Sequence, residues 1–204
     1  MLNLGVIGYP FISPGPVGGN VKFNTSSVTT HHNNSSASEG SPPLPEVELY
    51  IRWWQLASFL PQLHFTVPPS AYKDQNIAGV ARNLKAVKER VTNPALEEFA
   101  TQAMEDSRPV IRPLWMLNPS DPLCQRIDDQ FLIGDRILVA PVLHPGARQR
   151  DVYLPRTEGG SGVWKRGTDG TFFEGGQWLN GTSAELEMVL YFVRQADHAR
   201  PGLL

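Results

Sequence analysis

The sequence predicts an α/β unit followed by an all-β module, on three observations. Short apolar runs bounded by Gly and Pro alternate with stretches of helical period through about residue 124. Beyond Leu123 the helical period disappears, and short strand-like runs separated by Gly, Pro and Asp replace it. A stretch over residues 21–45, rich in Ser, Thr, Asn, His, Gly and Pro, interrupts the first unit.

Leu4 to Ser13 is an apolar run that ends in Pro14-Gly15-Pro16 and Gly18-Gly19, the pattern of a strand buried on both faces. Residues 21–45 carry too little apolar surface to offset their ordering entropy and read as a long, exposed, disordered loop. From Glu46 to Leu60, Leu49, Trp53, Leu56 and Leu60 recur at helical spacing, and Val47, Tyr50, Ile51 and Trp54 widen that face. Glu48, Arg52 and Gln55 form the one polar stripe, and Pro61 stops the helix. Trp53 and Trp54 read as core rather than as sugar-stacking rings.

Gln62 to Val67 is a short strand candidate, closed by Pro68-Pro69. A second helix follows over Ile77 to Arg90, and a third begins at Asn93-Pro94, where Asn serves as N-cap and Pro as first helical residue. Arg108 to Met116 is a further buried strand candidate. Phe131–Ile133, Ile137–Leu143, Asp151–Leu154, Gly162–Lys165, Thr171–Phe173 and Met188–Val193 make up the β-module, with the boundary near residue 125.

Composition narrows the function classes. Hydrophobic residues are 41% and charged residues 19% of the 204, as in a folded protein, and the net charge of −2 predicts neither nucleic acid nor an anionic membrane as partner. No apolar run is long enough to span a bilayer. Cys124 is the only cysteine, so neither an intramolecular disulfide nor a Cys-rich zinc site is expected. His31-His32 has no ligand-spaced partner and predicts no metal site. Four Asn-x-Ser/Thr sequons, at Asn24, Asn33, Asn34 and Asn180, are candidate glycan acceptors if the chain enters the secretory pathway. There is no nucleophile elbow, phosphate-binding Gly-Lys-Ser/Thr loop or His-Glu-x-x-His motif.

Several stretches, taken in order, resemble glycoside hydrolase family 31. They are Gly8-Tyr9-Pro10-Phe11 with Gly18-Gly19, Glu48 through Pro61, and Arg108 through Trp115. Asp129 through Asp135, Leu138 through Leu143 and Arg150 through Pro155 continue the series. The resemblance covers nearly the whole chain outside 21–45. Gly18-Gly19-Asn20, Phe65 through Pro69 and Tyr191 through Arg194 are similar to its myogenesis-regulating glycosidase branch, whose animal members resemble α-galactosidases.

The resemblance implies the C-terminal part of a (β/α)8 TIM barrel, about three strands over 1–124, followed by a β-sandwich over 125–204. It implies a retaining α-glycosidase acting on O-glycosyl bonds, with no cofactor or metal, because the mechanism needs only two carboxyl groups about 5–5.5 Å apart. Both carboxylates of the family precede the strand that here begins at Leu4, so no catalytic residue is expected in this chain and it should be inactive alone. Asp121, Asp128, Asp129 and Asp135 read as turn and cap residues instead.

Gly18, Gly19, Asn20 and Thr66 correspond to a pocket rim that touches an α-linked glycoside in the full-length parent. Many members carry an Asp just before the Gly-Gly pair, where this sequence has Gly15. Many also carry a sugar-contacting His where Thr66 stands, with His64 two residues early. The branch implies a parent in the secretory lumen or anchored in a membrane. Three parallel strands cannot close a barrel, so the inward faces of Val6, Ile7, Val110 and Ile111 should lie open. A second expectation, from another class, is a non-catalytic β-sandwich that binds carbohydrate or protein, with Trp164 and Trp178 as surface rings.

Overall fold

The computed structural model describes residues 2–19, 44–157, 160 and 162–195. Its helices are α1 (Leu2–Val6), α2 (Val47–Ala57), α3 (Gln75–Val87), α4 (Asn93–Asp106) and α5 (Pro122–Arg126). The strands are β1 (Ile111–Arg112), β2 (Phe131–Ile133), β3 (Ile137–Val139), β4 (Gln149–Leu154), β5 (Val163–Arg166), β6 (Phe172–Glu174), β7 (Gln177–Ser183) and β8 (Tyr191–Gln195). Helices and sheet are mixed, and every ladder between these strands is antiparallel.

Strand alternation builds three layers. A six-stranded sheet runs β1-β2-β3-β8-β5-β6, and β4 and β7 form a separate ribbon. Phe131, Ile133, Ile137, Val139 and Tyr191 point to one face, where they join Tyr50, Ile51, Phe59, Leu84 and Phe99 of the helical side. The intervening Leu132, Leu138 and Phe192 point to the other face and meet Val152, Leu154 and Trp164. β1 comes from before residue 125 yet pairs with β2, Ile111 opposite Ile133, so the sheet spans the expected junction.

Several expected elements differ. The run from Leu4 to Ser13 is not a buried strand: it opens as α1 and then turns, leaving Val6 49% and Ile7 70% exposed. A strand buried on both faces needs partners on both sides, and the described residues supply one side only, where Val110 N donates to Pro10 O at 3.1 Å. Val110 and Ile111, expected to lie open, are buried at 1% and 0% exposure because β2 pairs with β1 and α1 packs against it. The Gln62–Val67 strand is reduced to one parallel bridge, Val17 to Phe65, and Arg108–Met116 keeps only two ladder residues before a 3-10 turn at Leu114–Met116.

β7 was not expected from the sequence, because its pattern is mostly exposed and holds Asn180-Gly181, which reads as a turn. Asn24, Asn33, Asn34, the His31-His32 pair and the 21–43 part of the expected loop lie outside the described residues. Leu44 and Pro45 lead directly into α2.

Asn93 does not cap a new helix. A π-helical turn, Lys88–Thr92, carries α3 into α4 without a break, and Asn93 itself has helical angles, φ −59 and ψ −47. Pro94 has no N–H to donate, and a wide turn just before it accommodates that missing donor. The side-chain cap lies at Asp74, whose Oδ1 accepts from Asn76 N at 2.8 Å at the start of α3.

In this turn the Lys88 ammonium donates to the Leu60 carbonyl, and burial pushes its pKa down to about 8. A lysine whose folded pKa lies below its unfolded value penalises the fold while both states are charged. That penalty holds in full below pH 8 and is relieved as pH climbs toward the ordinary lysine range. Urea midpoints should therefore rise between pH 7.5 and about pH 9 relative to a Lys88→Met variant. Parallel curves for the two proteins would contradict the assignment.

Candidate functional site: the Gly-Gly loop against α2

α2 forms because apolar residues recur around most of its circumference, and its burial against α3 and the sheet orients the rest. Tyr50, Ile51 and Trp54 enter the core, with Trp54 edge-on to Phe65 at 5.1 Å. The Tyr50 hydroxyl reaches across to donate to Val67 O at 2.7 Å. Trp53 points instead to the loop that follows α1. A methyl carbon added to Gly15 would lie 3.8 Å from its ring, and one added to Gly19 would lie 3.7 Å from it.

Three of the four sequence-predicted rim residues come together here. Val17 N donates to His64 O at 2.7 Å, and Thr66 N donates back to Val17 O at 3.0 Å. The Thr66 hydroxyl closes the loop by donating to Gly19 O at 2.6 Å. Gly18 is held beside this bridge: a Cβ there would stand 2.9 Å from Thr66 Oγ1, Val67 Cβ and Val67 N, and its φ is +103. Asn20 lies outside the described residues. Gly15 is exposed, and its only neighbour within 4 Å of an added Cβ is Trp53, so the space admits a longer side chain.

The His64 side chain does not join Thr66 at the loop. Its Nε2 lies 3.1 Å from Gln62 Oε1, which also accepts from Ser13 Oγ at 2.7 Å, so Ser13, Gln62 and His64 form a polar margin beside the glycines. Beyond Trp53, a cleft of about 510 Å³ runs between Leu49, Leu56 and the segment Val142–Pro145. Leu49 and Leu143 are 55% and 56% exposed on its walls.

The polar stripe of α2 does not face water. Arg52 and Gln55 are 8% and 6% exposed. Arg52 Nη2 donates to Ala184 O at 2.7 Å and Ala147 O at 3.0 Å, and Nη1 donates to Gln55 Oε1 at 3.1 Å. Gln55 Nε2 donates to Leu186 O and Met188 O at 2.7 and 3.0 Å. Glu48 accepts from Gly146 N at 3.1 Å and pairs with Arg148, which holds its carboxyl below the usual carboxylate range. Sequence reasoning missed this dock, since Glu, Arg and Gln at helical spacing are the ordinary sign of a solvated stripe.

The acids near the junction are occupied structurally. Asp121 caps α5 through Leu123 N at 2.9 Å and accepts from the Tyr153 hydroxyl. Burial opposes ionisation of Asp121, but those hydrogen bonds carry its pKa down on balance. Cys124 beside it is fully buried, and burial together with Asp121 pushes its thiol up to about 12, outside the range of a reactive thiolate. Asp129 pairs with Arg150 at 2.8 Å and Asp135 with Arg194 at 3.1 Å, while Asp128 is exposed. Among the described residues no cluster of His, Cys, Asp and Glu is placed to hold a metal, and no helix is long and apolar enough to cross a membrane. Trp164 is core, not a surface ring: it is fully buried with Nε1 donating to Pro155 O at 2.9 Å, whereas Trp178 is 42% exposed.

The fold is a helix-backed antiparallel sheet with a glycine loop packed on a helical Trp, and comparison with known proteins gives its family. Residues 107–197 match the glycosyl hydrolase family 31 C-terminal domain. The chain is 37% identical over 192 residues to mouse myogenesis-regulating glycosidase, covering 94% of itself and 25% of that protein. It is 35% identical over 203 residues to the SITS-binding protein of Tetronarce californica, covering 100% of itself and 26% of that protein. A Flavobacterium johnsoniae GH31 dextranase structure superposes with a TM-score of 0.63 and 31% identity, over 72% of this chain and 18% of the dextranase. The chain belongs to glycoside hydrolase family 31. It spans about a quarter of the length of these two curated relatives.

Proposed function

We propose that this chain supplies the C-terminal part of a retaining α-glycosidase and that these 204 residues, taken alone, hydrolyse nothing. Residues 1–124 correspond on this reading to about three strands and helices of a TIM barrel. Residues 125–204 correspond to a β-sandwich module, with β1 at the seam. The observation that carries the proposal is a match over 94% of the chain that spans only 25% of the relative. Two further features support it. The junction acids Asp121, Asp129 and Asp135 are spent on caps and ion pairs rather than on a facing pair of free carboxyls. Leu4, Val6, Ile7, Tyr9 and Phe11 are 46–70% exposed, an apolar face that suits contact with more polypeptide.

In the complete enzyme the Gly18-Gly19 turn and Thr66 would form part of the rim around an α-linked glycoside, with Asn20 following. The Thr66 hydroxyl fixes the Gly19 carbonyl and leaves its lone pairs as acceptors. The substrate class and a lumenal or membrane-anchored location follow the family branch.

Purified chain should release no nitrophenol from aryl α-glucosides or α-galactosides above the buffer rate. Co-expression with the preceding region of a relative, carrying the family's two carboxylates, should restore turnover. Hydrolysis by the chain alone that Asp128→Asn or Asp129→Asn abolished would refute the reading.

A further inference from the structure

β4 and β7 pair regularly from Leu154 opposite Gln177 to Val152 opposite Leu179, and the pairing resumes with Arg150 opposite Thr182. Asn180 and Gly181 therefore stand against the single residue Asp151, whose Oδ1 accepts from Gly181 N at 2.7 Å. This is a β-bulge, and it presents Asn180 at the surface. Asn180-Gly181-Thr182 is also a sequon, the one of four that the described residues contain.

The ring of Trp178 gives the sequon a second, independent feature. Strand alternation up to the bulge puts Trp178 on the same face as Asn180, two residues on. Trp178 is 42% exposed, and Tyr153 supports it from the opposite strand at a centroid distance of 5.3 Å. One side of the indole is thus fixed and the other is open to water. The first sugar of an N-linked glycan, N-acetylglucosamine, has a flat C–H face that packs on such a ring. Attached at Asn180, it is within reach of this one.

Thr182 sets the timing. It is 7% exposed in the fold, and its hydroxyl donates to Leu179 O at 3.1 Å. The sequon hydroxyl that a transferase must recognise is consequently sequestered once β4 and β7 have paired.

We propose that Asn180 carries an N-linked glycan, added before β7 pairs with β4, whose first N-acetylglucosamine lies on the Trp178 ring. The donor is an oligosaccharide on a lipid pyrophosphate. The Asn180 amide nitrogen bonds to the anomeric carbon as the bond from that carbon to the pyrophosphate oxygen breaks. The amide loses a proton to the transferase, and the lipid pyrophosphate departs. The inference rests on the secretory location proposed above.

The test is expression of the full chain in animal cells behind a cleavable secretion leader, with the Asn180 peptide read by mass after enzymatic deglycosylation in heavy-oxygen water. Occupancy at Asn180, lost in Asn180→Gln and Thr182→Ala and kept in Thr182→Ser, is the expected result. Purified transferase with lipid-linked oligosaccharide should modify the denatured bare chain and leave the folded bare chain unmodified. Deglycosylation should lower Tm by about 1–5 °C in the wild type and not in Trp178→Ala. A bare Asn180 behind the leader overturns the site itself. Occupancy behind the leader but a bare Asn180 in protein from its own tissue overturns the compartment, and with it the glycan of the native protein. Equal Tm shifts in wild type and Trp178→Ala overturn the stacking, and modification of the folded chain overturns the timing.

Discussion

Replacing Arg52 with Ala should destabilise the fold by about 3–5 kcal/mol, since it strips a buried guanidinium from three backbone carbonyls, that of Ala184 fully buried. Arg52 holds Ala147 O, Ala184 O and Glu185 O, three acceptors from two different segments, while braced by Gln55. Burial lowers its pKa, yet an arginine stays charged at any ordinary pH. Arg52→Lys should recover only part of the loss, because one ammonium cannot reproduce a planar fork that reaches several carbonyls at once. Urea denaturation of the three proteins decides the matter. If Arg52→Ala unfolds at the wild-type midpoint, the tie between α2 and the 184–188 segment is not what holds the layers together.

The second large effect is expected at Gly134, in the tight link between β2 and β3. Its φ is +57, and a Cβ there would clash with three carbons of the Phe99 ring, which sits on the buried face of α4 and is 2% exposed. Gly134 N also donates to Val110 O at 2.7 Å, so the backbone has little freedom to retreat. Gly134→Ala adds left-handed strain of about 1–2 kcal/mol to an overpacking penalty of about 1–3 kcal/mol. The double variant Gly134→Ala with Phe99→Leu separates the two, since it relieves the clash and leaves the strain. If it is no more stable than Gly134→Ala alone, the Phe99 ring is not the obstacle.

Much of this site was legible in the sequence because it depends on local chemistry. Paired glycines mark a turn that side chains cannot enter, and Gly18 meets that description against Thr66 and Val67. Apolar spacing located α2 and ended it before Pro61. The strands β2, β3, β4, β5, β6 and β8 each fall on an expected run, because short apolar runs between turn residues have few other solutions. What failed was whatever depended on a neighbour. Arg52 and Gln55 share a helical stripe with Glu48, and nothing in that spacing distinguishes a stripe that meets water from one that meets a carbonyl-lined segment more than 130 positions away.

The sequence by itself determined the family, the presence of helices after Glu46, from Ile77 and from Asn93, and the alternation that gives the sheet two apolar faces. Tertiary structure alone decided three other matters. β1 joined an antiparallel sheet instead of a parallel one, since Val110 and Ile111 must be covered and β2 is the strand at hand. The run from Leu4 became a short helix for want of partners on both sides. Trp164 went inside while Trp178 stayed at the surface, although both are tryptophans in short strands. Periodicity records which face of an element is apolar, but burial is a property of two surfaces, and only the fold brings the second one into place.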